Sequence, residues 1–239
     1  MVVHVFDTEA QVARAAGAIF AAQLLRKPDS VLGLATGSTP ISTYQVLIRP
    51  YRDGVLDFSK ATTFNLDEYA GLPVSHPESY LSFMKRNLFD HVNLKQSFLP
   101  NGLAEDLDAE CARYEDSILA AGGVDLQLLG IGHNGHIGFN EPAEQFTYPT
   151  NAVTLTQDTI DANKRFFSSE EEVPRRALSM GIGTIMSSKS ILLIALGENK
   201  APVIRGMVQG EITPRLPASI LRAHPAVTVL LDKGAGSLL

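Results

Sequence analysis

The chain has little cysteine, no strongly basic segment and no long apolar run. Its one cysteine, Cys111, excludes an internal disulfide and suits a reducing compartment. No window approaches the roughly 20 apolar residues of a membrane span, and the first residues lack the pattern of a secretory signal. The formal net charge of −6 argues against a nucleic-acid surface. We therefore expect a cytoplasmic protein without membrane or nucleic-acid partners, whose partner is a small molecule.

Linkers rich in Pro, Gly or Ser and internal repeats are also missing, so we interpret residues 1–239 as a single domain. With 239 residues, of which 45% are hydrophobic, the chain can bury a sizeable core. Apolar segments alternate with helix-like segments. This alternation predicts an α/β fold, a single Rossmann-like, doubly wound, mostly parallel sheet with helices on both faces.

The apolar segments define the predicted strands, which cover residues 2–6, 30–35, 60–65, 124–129, 190–196 and 226–231. Thr8 and Gln11 have capping-box spacing before an Ala-rich helix. Thr39 is predicted to cap another helix, with Pro40 in its first turn.

Less regular segments lie between these strands. We predict a loop over residues 66–71, a helix that begins at Pro77 and reaches about residue 92, and a helix over residues 107–121. Helical stretches are also expected over residues 200–209 and 217–223. The interval of about 143–189 is too long for a simple connection, and we interpret it as a candidate lid.

Polar clusters follow four of the predicted strands, at residues 36–39, 65–69, 130–141 and 197–200. Ligands of parallel sheets bind beyond the carboxyl ends of the strands. The third cluster, Gly130-Ile-Gly-His-Asn-Gly-His136-Ile-Gly-Phe-Asn-Glu141, combines glycines with histidine, asparagine and glutamate. Glycine lets the backbone approach a ligand and histidine titrates near neutrality, so this loop predicts a site of proton transfer.

The first cluster has the form of an anion site. Thr36, Gly37, Ser38 and Thr39 join a strand to a helix start, where backbone amides and the helix dipole favour phosphate. An ordinary turn with a Thr cap is the alternative. The segment is neither GxGxxG nor a Walker loop, which disfavours dinucleotides and nucleoside triphosphates.

Charged residues near the other strand ends are candidates for the same site. Lys200 and Arg165 would complete a phosphate clamp, although either one alone is more often a solvated surface charge. Asp67 is a candidate carboxylate base, with an ordinary loop aspartate as the alternative. Its neighbour Tyr69 packs either on the ligand or on the loop.

Two histidines in the glycine loop also raise the question of a metal. His133 and His136, with Glu141 and Asp67, have suitable donor atoms. However, both histidines lie in a loop rather than on a helix face, and no further His or Cys lies nearby. We expect no metal, and we interpret the histidines outside this loop as structural or exposed.

Six segments, in the same order along nearly the whole chain, resemble the glucosamine-6-phosphate deaminase (isomerising) family. They are residues 34–40, 64–72, 76–80, 132–142, 163–167 and 197–201. The Thr-Gly-Ser-Thr-Pro loop is shared with related 6-phosphogluconolactonases, whereas Asn-Leu-Asp-Glu-Tyr with Gly-His-Ile-Gly-Phe-Asn-Glu-Pro points to the deaminases. The resemblance implies conversion of glucosamine 6-phosphate and water to fructose 6-phosphate and ammonia, without metal or organic cofactor.

The resemblance also implies roles for individual residues. His136, oriented by Glu141, would move the protons of sugar-ring opening, and Asp67 would carry a proton between C2 and C1 of the sugar. The predicted catalytic set is Asp67, Asn134, His136 and Glu141. The predicted substrate-binding set is Thr36, Gly37, Ser38, Thr39, Gly130, Arg165 and Lys200.

The chain departs from the larger, allosterically regulated members of that family. Where they have an aspartate, this chain has Asn134, whose amide can hold the imidazole of His136 but cannot raise its pKa by charge. The chain stops at Leu239, short of their carboxyl-terminal extension, and residues 143–153 lack basic residues. We therefore expect a monomer or small homo-oligomer that N-acetylglucosamine 6-phosphate does not activate.

Two alternatives remain at this point. A 6-phosphogluconolactonase would hydrolyse a sugar-phosphate lactone with the same phosphate loop and histidine, but it would have no use for Asp67. A sugar-phosphate sensor would use the cavity only for binding. Such sensors normally carry a basic helix-turn-helix, which this sequence lacks.

Overall fold

The fold is known from a computed structural model, which describes residues 1–164, 167, 169 and 172–239. The strands in these residues are β1 (Val2–Phe6), β2 (Val31–Leu34), β3 (Thr62–Asn65), β4 (Asp67–Tyr69), β5 (Gln96–Phe98), β6 (Leu126–Leu129), β7 (Asn151–Thr154), β8 (Arg176–Ser179), β9 (Ile191–Ala195) and β10 (Val227–Asp232). The helices are α1 (Glu9–Arg26), α2 (Ile41–Arg52), α3 (Tyr80–Asn87), α4 (Leu107–Ala120), α5 (Gln157–Asn163), α6 (Ile182–Met186) and α7 (Ala201–Gln209). Short 3₁₀ turns cover Phe89–His91, Glu198–Lys200 and Pro217–Ala223.

Seven strands form one parallel sheet in the order β1-β10-β9-β6-β2-β3-β5. Strands β2, β6 and β9 are buried along their whole length, as expected for apolar strands covered on both faces. The fold class predicted from the sequence is therefore confirmed. Next to β2 lie β3 and then β5, whereas β9 and then β10 lie next to β6 on the other side of the sheet. The order in which strands are added therefore changes direction between β2 and β6, and parallel sheets bind ligands at such a point.

A second, antiparallel sheet has the order β4-β8-β7. The predicted loop over residues 66–71 is wrong, because Asp67 pairs with Ser179 and Tyr69 with Ala177. The interval of about 143–189 supplies β7, β8 and α6, so much of its described part is packed structure. A role of residues 143–189 as a lid over the cavity stays a prediction.

The helix starts follow local capping chemistry. The predicted capping box of α1 is confirmed, since Thr8 and Gln11 bond to each other's backbone N–H groups. The predicted Thr39 cap is wrong, because α2 begins one residue later, with Pro40 at its N-cap and no side-chain cap. The helix expected from Pro77 instead starts after Ser79, whose hydroxyl caps α3.

Aromatic packing fixes the end of β3, next to the site. Phe64 stacks on Phe98 at 4.8 Å and meets the edge of Tyr114 at 5.7 Å. The Tyr114 hydroxyl donates to the carbonyl of Asn65 at 2.6 Å, two residues before Asp67. The backbone that leads to Asp67 is thus held from the α4 side.

In the described part of the chain, no helix combines the length and the apolar character needed to cross a membrane.

Candidate active site

A cavity of about 430 Å³ opens at the carboxyl ends of β9, β6, β2 and β3. It is lined by Ala35, Thr36, Gly37, Ser38, Thr39, Pro40, Leu66, Asp67, Tyr80, Gly130, Ile131, Gly132, His133, Asn134, His136, Gly138, Phe139, Thr159 and Lys200. Nine of the predicted site residues are in this set, and Glu141 contacts His136. Arg165 lies outside the described residues.

The loop after β2 presents backbone donors to the cavity. Gly37 has a φ of +90°, a conformation that glycine adopts without strain. Among the described residues, no protein acceptor takes the backbone N–H of Gly37, Ser38 or Thr39. The N-terminus of α2 follows directly and adds its positive dipole end. These groups form a nest suited to an anion such as phosphate.

Lys200 provides a cation in the cavity that the Gly37 loop also lines. Its Nζ donates to the carbonyl of Ile131 at 2.7 Å. Burial lowers the pKa of Lys200 to about 8. The ammonium is still mostly protonated at neutral pH, and an anion beside it would raise that pKa again.

Asp67 begins β4 and lines the same cavity. Its side chain is only 7% exposed, and no donor from the described part of the chain bonds to its carboxyl. Burial, assisted by the charge of Glu68, raises the pKa of Asp67 to about 8. A carboxyl group with such a pKa accepts a proton far more readily than an exposed one does.

Glu68, the residue after Asp67, connects β4 to the start of α3 through hydrogen bonds. Its carboxylate accepts from the backbone N–H groups of Tyr69 and Tyr80 at 2.9 Å and of Leu81 at 3.0 Å. It therefore holds the N-terminus of α3 against β4. This contact also places the ring of Tyr80 at the cavity wall.

His136 lies beside an acidic partner. Its Nδ1 is 3.2 Å from Oε1 of Glu141, an ion-pair distance outside directed hydrogen-bond geometry. Glu141 also accepts from Asn134 Nδ2 at 2.5 Å and from Thr159 Oγ1 at 2.8 Å. Burial alone would raise the pKa of Glu141, but His136 and the two donors outweigh it and lower that pKa to about 2. Glu141 is thus a permanent anion that can stabilise an imidazolium.

Asn134 acts differently from the expectation. Its amide bonds to Glu141, and its Oδ1 accepts from the backbone N–H of His136 at 3.2 Å. The expectation that the Asn134 amide holds the imidazole of His136 is wrong, because the amide bonds to Glu141, the carboxylate beside that imidazole. Glu141, rather than Asn134, faces the ring, with its Oε1 3.2 Å from Nδ1 of His136.

The two histidines of the loop have separate partners. Nε2 of His133 lies 2.8 Å from Nδ2 of Asn199, whereas His136 contacts Glu141. Across the residues that the structure describes, no three His, Cys, Asp or Glu side chains cluster as metal ligands would.

Sequence reasoning missed several residues of the site. Thr159 bonds to Glu141 from α5, and Tyr80 and Phe139 form part of the cavity wall. The spacing of Thr156 and Thr159 at a helix start is the only sequence signal for Thr159, and it indicates a cap rather than a site. Tyr69 is 2% exposed and packs on Tyr80 at 4.7 Å, so its ring belongs to the packing between β4 and α3.

Known proteins resemble this chain over its whole length. The sequence profile described as glucosamine-6-phosphate isomerases/6-phosphogluconolactonase matches residues 7–230. A glucosamine-6-phosphate deaminase from Thermoanaerobacter pseudethanolicus is 53% identical over 96% of this chain and 91% of its own length. Another, from Alkaliphilus oremlandii, is 51% identical over 100% of both chains.

Solved structures agree with these matches. A structure described as a monomeric glucosamine-6-phosphate deaminase is 48% identical, covers 100% of both chains and superposes with a TM-score of 0.97. A 6-phosphogluconolactonase from Shewanella baltica has a TM-score of 0.79, but it is only 18% identical and shares the fold alone.

Proposed function

The chain belongs to the family of glucosamine-6-phosphate isomerases and 6-phosphogluconolactonases, and we infer that within it this protein is a glucosamine-6-phosphate deaminase. The enzyme isomerises and deaminates glucosamine 6-phosphate to fructose 6-phosphate and ammonia. The observation that carries this assignment over lactone hydrolysis is Asp67, a buried carboxyl without a hydrogen-bond donor from the described chain, in the same cavity as His136. Abstraction of a proton from carbon requires such a base, and lactone hydrolysis does not.

Ring opening is the first step that the site supports. A proton leaves the anomeric hydroxyl and another reaches the ring oxygen, so that the C1–O5 bond breaks and the aldehyde forms. His136 can accept the first of these protons and donate the second. Glu141, an anion 3.2 Å from Nδ1, stabilises the imidazolium formed between the two transfers.

Isomerisation and deamination follow on the open chain. Asp67 removes the C2 proton while the aldehyde oxygen gains one, which gives an enolamine, and Asp67 then gives its proton to C1, which leaves an iminium at C2. Water adds to C2, and loss of ammonia yields the ketose. A single fixed carboxyl can serve both carbons because they are adjacent, and general bases of this kind contribute roughly 10² to 10⁴ in rate.

The phosphate group anchors the far end of the sugar. We propose that the amides and hydroxyls of the Gly37 loop bind it together with Lys200, whose ammonium lies in the same cavity. A contribution from Arg165 remains a proposal from the sequence. Binding energy from this end positions C1 and C2 for proton transfer.

A coupled ammonia assay on the wild type and Asp67→Asn tests the function directly. We expect ammonia release from glucosamine 6-phosphate by the wild type and a loss of at least about 10²-fold in Asp67→Asn. Equal release by both proteins would refute the role of Asp67. Binding without any ammonia release would favour the sensor, and lactone hydrolysis without hydrogen exchange at C2 in heavy water would favour the lactonase.

We further propose a monomer in the cytoplasm that N-acetylglucosamine 6-phosphate does not activate. A close structural relative is described as monomeric, and residues 143–153 offer no basic side chain for an activator phosphate. Sedimentation should show a single protomer, and rate curves should be hyperbolic with and without that ligand. A sigmoidal curve that the ligand makes hyperbolic would contradict this proposal.

A further inference from the structure

His133 has no role in the chemistry described above, yet its side chain lines the cavity. It lies in the loop between the strand end at Gly130 and the catalytic His136. Its Nε2 is 2.8 Å from Nδ2 of Asn199, the residue before Lys200. The charge of Lys200 acts on this imidazole, and both residues line the cavity that the Gly37 loop also lines.

The surroundings of His133 favour its neutral form while the site holds no anion. The charge of Lys200, with a smaller contribution from desolvation and from His136, lowers the pKa of His133. Lys200 and His136 are the titratable groups that act on this ring in the described part of the chain. The charge of Lys200 is the largest of the three contributions, and a bound anion would oppose it.

The partner of His133 tolerates either protonation state. With Nε2 accepting from the Asn199 amide, the proton of the neutral ring is on Nδ1, which has no protein acceptor among the described residues. If the ring gains a proton, the amide can rotate and present its oxygen to Nε2–H instead. A carboxylate at residue 199 would have fixed the charged form permanently.

From this arrangement we propose that His133 is a further substrate-binding residue, which contacts the phosphate group in its protonated form and takes up a proton from solvent as the phosphate binds. The proposal rests on the phosphate position inferred above. It makes His133 a binding residue, without a part in ring opening or isomerisation. Its contribution is therefore greatest at low pH and fades as the pH rises above the pKa of the ring in the complex.

Binding of inorganic phosphate tests this without any turnover. We expect His133→Gln to weaken phosphate binding about fivefold near pH 6 and less than about twofold near pH 8.5, because a charge-assisted hydrogen bond is lost only where the ring is protonated. Calorimetry in two buffers of different ionisation enthalpy should show less proton uptake by the variant. The KM for glucosamine 6-phosphate should follow the same pH pattern with kcat unchanged.

Two further variants keep the test decisive. His133→Lys carries its charge at both pH values, so it should bind phosphate more tightly than the wild type near pH 8.5. His4→Gln, on exposed β1 and away from the cavity, is the matched control and should behave as the wild type. Equal phosphate affinity of the wild type and His133→Gln at both pH values would overturn the proposal. These binding results stand even if the protein releases no ammonia, so failure of the proposed function is seen separately.

Discussion

The imidazole of His136 occupies the space that a side chain on residue 132 would need, since a Cβ atom added to Gly132 would lie 2.3 Å from Cε1 of that ring. Gly132→Ala should therefore displace the ring while the phosphate loop stays in place. We expect kcat to fall roughly 10- to 100-fold, with KM changed by less than about threefold. Steady-state kinetics and a thermal melt check this, and an unchanged kcat in a folded variant would contradict it.

Asp67 should destabilise the folded protein at neutral pH. Its pKa is raised to about 8 by burial, so the folded state holds the proton more tightly than the unfolded state does. The resulting penalty is absent below about pH 4, grows as the pH rises, and is complete above about pH 8. Asp67→Asn should thus raise the free energy of unfolding at about pH 8 by the order of a few kcal/mol, while activity is lost. Denaturant melts at about pH 4 and pH 8 measure this, and an equal effect at both would disprove it.

The dependence of kcat/KM on pH should report the ionisation of Asp67. Asp67 must be ionised to remove the C2 proton, so kcat/KM should rise with pH towards the pKa of about 8, and above it the loss of the Lys200 proton, whose pKa is also about 8, should oppose a further rise. The charged amino group of a bound substrate favours the carboxylate, so the corresponding limb of kcat should lie at lower pH. A kcat/KM profile that is already level above about pH 5 would mean that Asp67 has an ordinary pKa in the free enzyme.

Thr159 should support catalysis through Glu141. Its hydroxyl donates to Oε1 of Glu141 at 2.8 Å, the same oxygen that faces His136. Thr159→Val keeps the shape of the side chain but removes this donor, so we expect the pKa of Glu141 to rise and kcat to fall about 3- to 30-fold. Ser42→Ala, on the surface at α2 and outside the cavity, is a suitable control for loss of a hydroxyl. An equal effect of the two variants would show that Thr159 has no specific part.

Asn134→Asp should be harmful in this chain. The amide donates to Oε2 of Glu141 at 2.5 Å, and a second carboxylate at that distance would repel it unless one of the two is protonated. We expect the pKa of the pair to rise and activity to fall more steeply below about pH 6 than in the wild type. A variant with a wild-type profile would mean that the loop rearranges.

The elements that the sequence predicts best are those whose signal is local. The apolar run of β2 and the Thr8–Gln11 box of α1 need no distant partner to be recognised. By contrast, β4 has three residues, two of them acidic, and becomes a strand only because Asp67 pairs with Ser179. Strand β5 is equally short and partly polar, and β7 and β8 pair mainly with each other. Their stability comes from tertiary contacts that no short window contains.

The same distinction holds for the site. Parallel strands end at one edge, so the amino-acid sequence alone is enough to group Asp67, His136 and Lys200. The contacts of Asn134 and Thr159 with Glu141 cannot be inferred in this way, because they depend on side-chain directions and on α5 reaching back over the loop. The sequence also indicates no role for His133, since only the fold places it beside Lys200.

The base and the histidine belong to different sheets. Asp67 begins β4 of the small antiparallel sheet, whose other two strands come from the interval between β6 and β9, whereas His136 follows β6 of the parallel sheet. The position of Asp67 therefore depends on the pairing of β4 with β8, whereas the Gly37 loop follows β2 of the parallel sheet and takes no part in that pairing. Substitutions in β7 and β8 can thus move the base relative to a sugar whose phosphate end is held by the other sheet.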